Sequence, residues 1–342
     1  MHQFLLDYGL FLAKTVTWVA AFIAVGLALV VLVRAARHQS GEQLEVKSLN
    51  LRLRGLAEAL NRELLGAGEL KREHKRLKAE DKARDKALKQ GGTGRPRLFV
   101  LDFHGDLEAS RVAALREEIS ALLQVARPED EVLLRLESAG GVVHGYGLAA
   151  SQLRRIRERG LRLTAAVDKV AASGGYLMAC VADRILAAPF AIVGSIGVVA
   201  QLPNFNRLLR EKHIDFELHT AGEYKRTLTL FGENTEAGRA KFREELEQTH
   251  GLFKSFVAAN RPQLPLDQVA TGEHWYGSQA LELKLVDELR TSDDWLLEKA
   301  RTSDVYALRY RLRRNLRDQL LGGLARLAAR EAAPWQRPGG LM

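Results

Sequence analysis

The sequence predicts an α/β domain with mostly parallel strands, carried behind one membrane-crossing helix and a charged helical stalk. Three observations predict it. From residue 97 onward, apolar runs of strand length alternate with amphipathic runs of helix length. Glycine pairs fall where two of those strands end, at Gly140-Gly141 and Gly174-Gly175. Residues 15–33 contain no charged side chain, whereas residues 34–97 hold 17 Lys/Arg against 9 Asp/Glu.

Residues 1–36 form the predicted anchor. With Leu10, Phe11 and Leu12 the apolar run reaches the roughly 20 residues that a helix needs to cross about 30 Å of hydrocarbon. Lys14 can snorkel at one end, and Trp18 suits an interface. A cleaved signal peptide would have a basic start and a shorter apolar run, and the start MHQFLLDYG is not basic. The cations Arg34 and Arg37 follow the run, so the positive-inside rule places the bulk of the chain on the cytoplasmic side.

Residues 37–96 form the predicted stalk. Leucines at 51, 53, 56, 60 and 64 partly fit a helical stripe. From Lys71 onward apolar residues almost vanish, which suits a solvated charged helix or a disordered segment. The joint GGTGRP at 91–96 marks the boundary with the domain at 97–300.

Within that domain, residues 131–138, 161–168 and 214–222 read as strands, and 98–103, 183–189 and 192–200 as short apolar runs. Helices are predicted after the run at 98–103, at 142–159, after the serine turn at 173, after residue 202 and at 236–261. Residues 301–342 form a basic tail with leucines at 308, 312, 316, 320, 321, 324 and 327, and eight arginines lie between 309 and 337. Such a helix suits an anionic membrane surface or a neighbouring protomer. Net charge is +9, concentrated at the two ends. Basic ends around a balanced middle argue for contact with anionic lipid or nucleic acid at the ends and against a nucleic-acid-binding core. Cys180 is the single cysteine, so no intrachain disulfide forms.

The stretch VDKVAASGGYLMACVAD places Ser173 on a small turn between a strand and a helix. In open α/β sheets the ligand crevice lies beyond the carboxyl ends of the strands. A serine there, next to glycines that let backbone amides approach, is a candidate nucleophile. It needs a base. His104, His144, His213 and His219 are candidates, but none has an acid partner evident in the sequence. A lysine serves only when neutral, so its pKa must fall from about 10.4 to near 7–8. Lys169 and Lys225 are both placed near strand or loop ends, and spacing alone does not choose between them. Asp168 and Lys169 otherwise read as ordinary turn charges, and Tyr176 as a residue packed beneath the serine's helix. There is no HExxH, CxxC or clustered His/Asp pattern and no phosphate-binding GxxxxGK[ST], so neither metal nor nucleotide cofactor is expected.

The segments SAGGVVHGYG, AASGGY, GSIGVVAQ and GEYKRTLTLFGENTEAGR, in that order, resemble the signal peptide peptidase A family of serine–lysine proteases, peptidase family S49. TGEHWYGSQALELKLVDE at 271–288, the anchor and the stalk extend the resemblance from the anchor to about residue 290. It implies a crotonase-like superhelical α/β fold shared with the Clp protease, and a bacterial inner (plasma) membrane location. It implies Ser173 as nucleophile, Lys225 as general base, and Ser195 as the hydroxyl that holds the lysine. It implies Gly141 and Gly174 as backbone donors to the oxyanion. The chain departs from many relatives at Ala139, where they have proline.

The implied substrate is an extended peptide, such as a signal-peptide remnant or an unfolded or membrane protein. The implied partners are the lipid bilayer and further copies in a ring, with no nucleic acid and no cofactor. Double-length members carry serine and lysine in different halves, so a single-length chain is expected to complete its site between neighbouring protomers. Two alternatives are a membrane-bound scaffold or pseudopeptidase of the same fold, and a crotonase-type acyl-CoA enzyme that would have no use for Lys225.

Overall fold

The computed structural model describes residues 9, 11–23, 25–27, 43–89 and 94–311. The chain divides into two units, one of residues 1–43 with 311–342 and one of residues 44–310. In the first unit residues 11–23 and 25–27 are helical, with Thr15 and Thr17 hydroxyls donating to Phe11 O and Ala13 O four residues back. No helix among the described residues is long and apolar enough to cross a membrane. Residues 28–33 of the expected span, and the tail from residue 312, lie outside the described residues.

The second unit is built on a seven-stranded sheet of β1 (Gln43–Ser48), β2 (Arg97–His104), β3 (Glu131–Glu137), β4 (Arg162–Val167), β6 (Arg184–Ala187), β9 (Glu288–Leu289) and β10 (Asp304–Arg311). Its order is β1-β10-β2-β3-β4-β6-β9, and every pairing from β10 to β9 is parallel. A three-stranded sheet of β5 (Val170–Ala172), β7 (Ile192–Gly194) and β8 (His274–Tyr276) stands beside it, with β5 parallel to β7 and β8 antiparallel. A bridge between Ser138 and Ala171 joins the end of β3 to β5.

Period-two alternation sorts the strands' side chains to two faces. Phe99, Leu101 and Phe103 of β2, with Val132, Leu134 and Leu136 of β3, enter the larger core. Helices α3 (Val112–Val125), α4 (Val143–Glu158) and α5 (Gly174–Ala179) contribute Leu115, Ile119, Leu153, Ile156 and Tyr176 to that core. Leu98, Val100, Leu133, Ala166 and Leu186 face the opposite way, onto Trp295 and Leu296 of α10 (Ser292–Thr302). Each such leucine removed from water contributes about 1.5–3 kcal/mol. The remaining helices of this layer structure are α6 (Asn206–Glu211), α7 (Glu236–Asn260), α8 (Leu266–Val269) and α9 (Gly277–Glu282).

Two helices follow β1, α1 (Leu49–Leu64) and α2 (Ala67–Lys89), broken at Leu65-Gly66. The first turn of α1 is tied to the body by one side chain. Asn50 Nδ2 donates to Ala300 O and Ser303 O at 3.0 and 3.1 Å, and its Oδ1 accepts from Val305 N at 2.7 Å. Strand β1, within the expected stalk, and strand β10, within the expected tail, instead join the sheet. Gln43–Lys47 alternates polar and apolar residues, and Leu44 packs against the larger core, whereas β10 shows no clean alternation. Residues 214–222, expected as a strand, form none. They are exposed and have no strand to pair with, so alternation alone does not make a ladder there.

Candidate active site

Strand β4 ends at Val167, and β5 carries the chain on to Ser173, which stands directly before α5. Ser173 has φ 51° and ψ −120°, a backbone region that L-residues avoid. The neighbouring parallel strand does the same thing at the same place. Ala172 pairs with Gly194, so Ser173 and Ser195 are the next residues along on adjacent strands, and Ser195 has φ 52°. Ser173 N donates to Gly194 O at 2.8 Å, and Ser195 N donates to Glu273 O at 2.6 Å. His250 Nε2, on α7, lies 3.1 Å from Ile196 O and holds the segment that follows Ser195. Gly194 (φ 101°) leaves room for the Trp275 ring, which a Cβ would meet at 2.8 Å.

The loop Ser138–Gly141 closes over the serine. Gly140 has φ 93°, and a Cβ on it would lie 2.8 Å from both Ser173 Cβ and Gly174 N. Gly140 N–H donates to Ser138 Oγ at 3.1 Å, so that amide is occupied. The Gly141 N–H has no acceptor among the described residues. Gly174 N–H opens α5 and so has no acceptor within the helix. Ser173 Oγ accepts no capping bond and donates none among the described residues. The structure therefore brings together Ser173, Ser195, Gly174 and the Gly140–Gly141 loop. Two uncommitted amides and a hydroxyl held in a strained turn suit attack on a carbonyl with charge developing on its oxygen.

Lys225 is placed differently. It is exposed, on a loop whose backbone turns at Gly222, with Lys225 N donating to Gly222 O at 3.2 Å. No hydrogen bond joins Lys225 Nζ to Ser173 or Ser195 among the described residues. The segment around it is tied mainly to itself. Asn204 Nδ2 donates to Thr229 O and Gly232 O, Asn206 Nδ2 donates to Phe231 O, and Phe231 packs on Phe205 and Phe216. The histidine candidates are exposed, and none bonds to Ser173. His104 faces Glu137 at 3.6 Å and His219 faces Glu217 at 3.3 Å.

Two residues beside the turn do more than their sequence context suggests. Asp168 is no idle turn charge: its carboxylate accepts from Ser292 N at 2.8 Å and Ser292 Oγ at 2.5 Å, fixing the first turn of α10. Tyr176, on α5 itself, is fully buried and donates to Leu285 O at 2.9 Å. Burial and the nearby Cys180 push its phenol well above the ordinary range. Lys169 pairs with Glu137 at 3.1 Å on the surface. Sequence reasoning passed over Ser138 and Tyr146, whose hydroxyls meet at 2.6 Å under the glycine loop. The glycines flanking Tyr146 in the run HGYG were the available signal.

The chain is 50% identical to a probable protease SohB of Haemophilus influenzae over 92% of each chain. It is 50% identical to a probable protease SohB of Buchnera aphidicola subsp. Schlechtendalia chinensis, over 87% of this chain and 100% of that one. Among solved structures, the 1510-N membrane-bound stomatin-specific protease with a substrate peptide aligns with 68% of this chain and 100% of its own, at 14% identity and a TM-score of 0.41. The profile of the peptidase family S49 N-terminal region matches residues 3–153 and that of peptidase family S49 matches residues 155–306, so the chain belongs to peptidase family S49.

Proposed function

We propose that the chain is a membrane-anchored serine endopeptidase that cleaves extended peptides through an acyl-enzyme, with Ser173 as nucleophile and Lys225 as base. The observation that carries this reading is the strained Ser173, its hydroxyl uncommitted, beside the Gly141 and Gly174 amides. In the first step Ser173 Oγ bonds to the scissile carbonyl carbon as its proton passes to neutral Lys225. The carbonyl oxygen takes up negative charge between the two amides, each such donor being worth about 2.7–4 kcal/mol. Collapse breaks the C–N bond, and the lysine's proton goes to the departing amine. Water then repeats the sequence on the ester, giving up its proton to the lysine, and Ser173 regains its proton as the acid leaves. Ser195, level with Ser173 on the adjacent strand, would hold the lysine amine.

In this reading Lys225 reaches the serine of a neighbouring copy in a ring. Its exposure, and the exposed apolar side chains of Phe216, Leu218, Tyr224 and Phe231 around it, suit a segment that closes on another protomer. The uncharged run at 15–33 and the cations after it support an anchor in the bacterial inner membrane, with the body on the cytoplasmic side. The test is hydrolysis of casein and unfolded peptides by the full chain in detergent, from pH 6 to 10. Ser173→Ala and Lys225→Ala should each be inactive, the wild-type rate should rise with pH, and mixing the two variants should restore activity. Activity retained by Lys225→Ala removes the lysine from the mechanism. A wild type that cleaves nothing points to the scaffold alternative.

A further inference from the structure

Tyr146, on α4, is fully buried and lies among the glycine backbones of three separate loops. A Cβ on Gly141 would stand 2.8 Å from its Cε2. One on Gly174 would stand 2.8 Å from its Cβ and Cδ2. One on Gly105, after β2, would run into the hydroxyls of both Tyr146 and Ser138. The ring thus separates the two backbone segments whose amides are uncommitted. Phe103 holds it from the side, edge-on, with centroids 6.3 Å apart.

The hydroxyls continue the arrangement. Tyr146 OH donates to Asp106 O at 2.8 Å. Its one proton is then spent, so the 2.6 Å contact with Ser138 is donated by Ser138 Oγ. Ser138 Oγ in turn accepts from Gly140 N–H at 3.1 Å. With the Gly140 amide turned to Ser138, Gly141 is the member of the pair left uncommitted. The Ser138 backbone reaches the other side of the site: its N–H donates to Val170 O, and its O accepts from Ala172 N–H, directly before Ser173. Desolvation raises the Tyr146 phenol's pKa, which keeps its donor in place.

We infer that Tyr146 is a positioning residue: its ring sets the gap between the Gly141 and Gly174 amides, and its hydroxyl, through Ser138, fixes which amide of the glycine pair is free. This rests on Ser173 being the nucleophile. Tyr146 does not touch substrate; it acts through the two backbones it separates. Its contribution is therefore to the rate of the chemical step and not to substrate affinity.

The experiment uses the full chain in detergent, with Tyr146→Phe, Tyr146→Leu, Ser138→Ala and the Ser138→Ala/Tyr146→Phe double variant. Steady-state constants on a fluorogenic peptide, the rate of Ser173 labelling by a fluorophosphonate, and the melting temperature are measured on each. Each single hydroxyl deletion removes two hydrogen bonds of the chain that runs from Asp106 to Gly140, and should lower kcat about tenfold, with KM changed less than about twofold and the pH profile unshifted. Labelling should slow in parallel, and Tyr146→Leu should lose more than Tyr146→Phe. The double variant should lose no more than the worse single variant, because both hydroxyls act in one chain. A wild-type labelling rate in Tyr146→Phe or Ser138→Ala, or losses that multiply in the double variant, would overturn this inference and leave Ser173 as nucleophile. A wild type that is not labelled at Ser173 would overturn that assignment and this inference with it. Should Tyr146→Leu fail to fold, the two hydroxyl deletions, which keep the packing, decide.

Discussion

Replacing Ser173 by glycine should make the protein more stable than replacing it by alanine, although both remove the hydroxyl. The backbone at 173 sits at φ 51°, ψ −120°, and it is kept there by Ser173 N donating to Gly194 O and Leu177 N donating to Ser173 O, at 2.8 and 2.9 Å. A side chain held in such a region costs about 1–3 kcal/mol, and glycine carries no such cost. Against that, glycine loses about 0.5–1 kcal/mol more backbone freedom on folding. Ser173 Oγ makes no bond that either variant would lose. The balance favours Ser173→Gly over Ser173→Ala by about 1 kcal/mol, within a range of about 0–2.5 kcal/mol. For a unit of this size each kcal/mol moves the melting temperature by about 2–4 °C. Differential scanning calorimetry of the two variants beside the wild type reads the difference directly. A glycine variant melting at or below the alanine variant would show that the turn is not strained, and the case for a stored, functional geometry at Ser173 would fall with it.

Three further outcomes follow from the same geometry. Gly140→Ala forces a Cβ at φ 93° to within 2.8–2.9 Å of Ser173 Cβ, Gly174 N and Ala172 O, and should destabilise by about 2–4 kcal/mol in urea titrations while abolishing Ser173 labelling. Asp168→Ala should cost about 1–2 kcal/mol through loss of its two bonds to Ser292, whereas Lys169→Ala, on the surface, should change stability by less than about 0.5 kcal/mol. Cys180 is buried, and burial pushes its thiol up to about 12, so a maleimide at pH 8 should modify it only after urea is added. Because that folded value lies above the unfolded one of about 8.5, the thiol's contribution is full below pH 8.5 and is lost as pH rises toward 12; Cys180→Ala should flatten the fall in stability over that window.

The central strands and helices were legible because each is long enough to show its period. RLFVLDFH and EVLLRLE bury both faces and read as continuous apolar runs, and α4 shows a helical stripe through Tyr146, Ala149, Ala150 and Leu153. Strands β1 and β10 were not legible. The alternation of QLEVK in β1 is only five residues long and runs into a charged helix, and β10 is followed by arginines, so both blend into charged flanks; β10 is held by pairing with β2 and by the grip of Asn50 on Val305 N, and β1 by its place beside β10. IDFELH of 214–219 is the converse, an alternating pattern with no partner strand. At the site, Ser173 and the glycines were visible as residue types, because only small residues tolerate a close turn. Tyr146 was hidden because its importance comes from three loops that are distant in sequence and meet only when the sheet forms. Asp168 was hidden likewise, since its partner Ser292 lies 124 residues away.

The two halves of the proposed chemistry differ in how they are held, and that difference bears on control. The serine half is over-determined: Ser173, Ser195 and the glycine loop are locked by a parallel strand pair, a buried tyrosine and backbone bonds to Gly194 and Glu273. Strain at Ser173 persists only because that frame would have to break to release it. The lysine half stands on an exposed loop whose packing, through Phe205, Phe216 and Phe231, is largely internal to its own segment. A nucleophile kept in position at all times, with its base delivered separately, would be inactive until the base arrives, without any rearrangement of the nucleophile. Assembly of copies would then act on the general-base step alone. Under that proposal, fluorophosphonate labelling should rise steeply with protein concentration through the range in which copies associate, while the circular dichroism spectrum stays constant. Labelling that is independent of concentration and of association would place the base within the same copy as Ser173 and sink the separation.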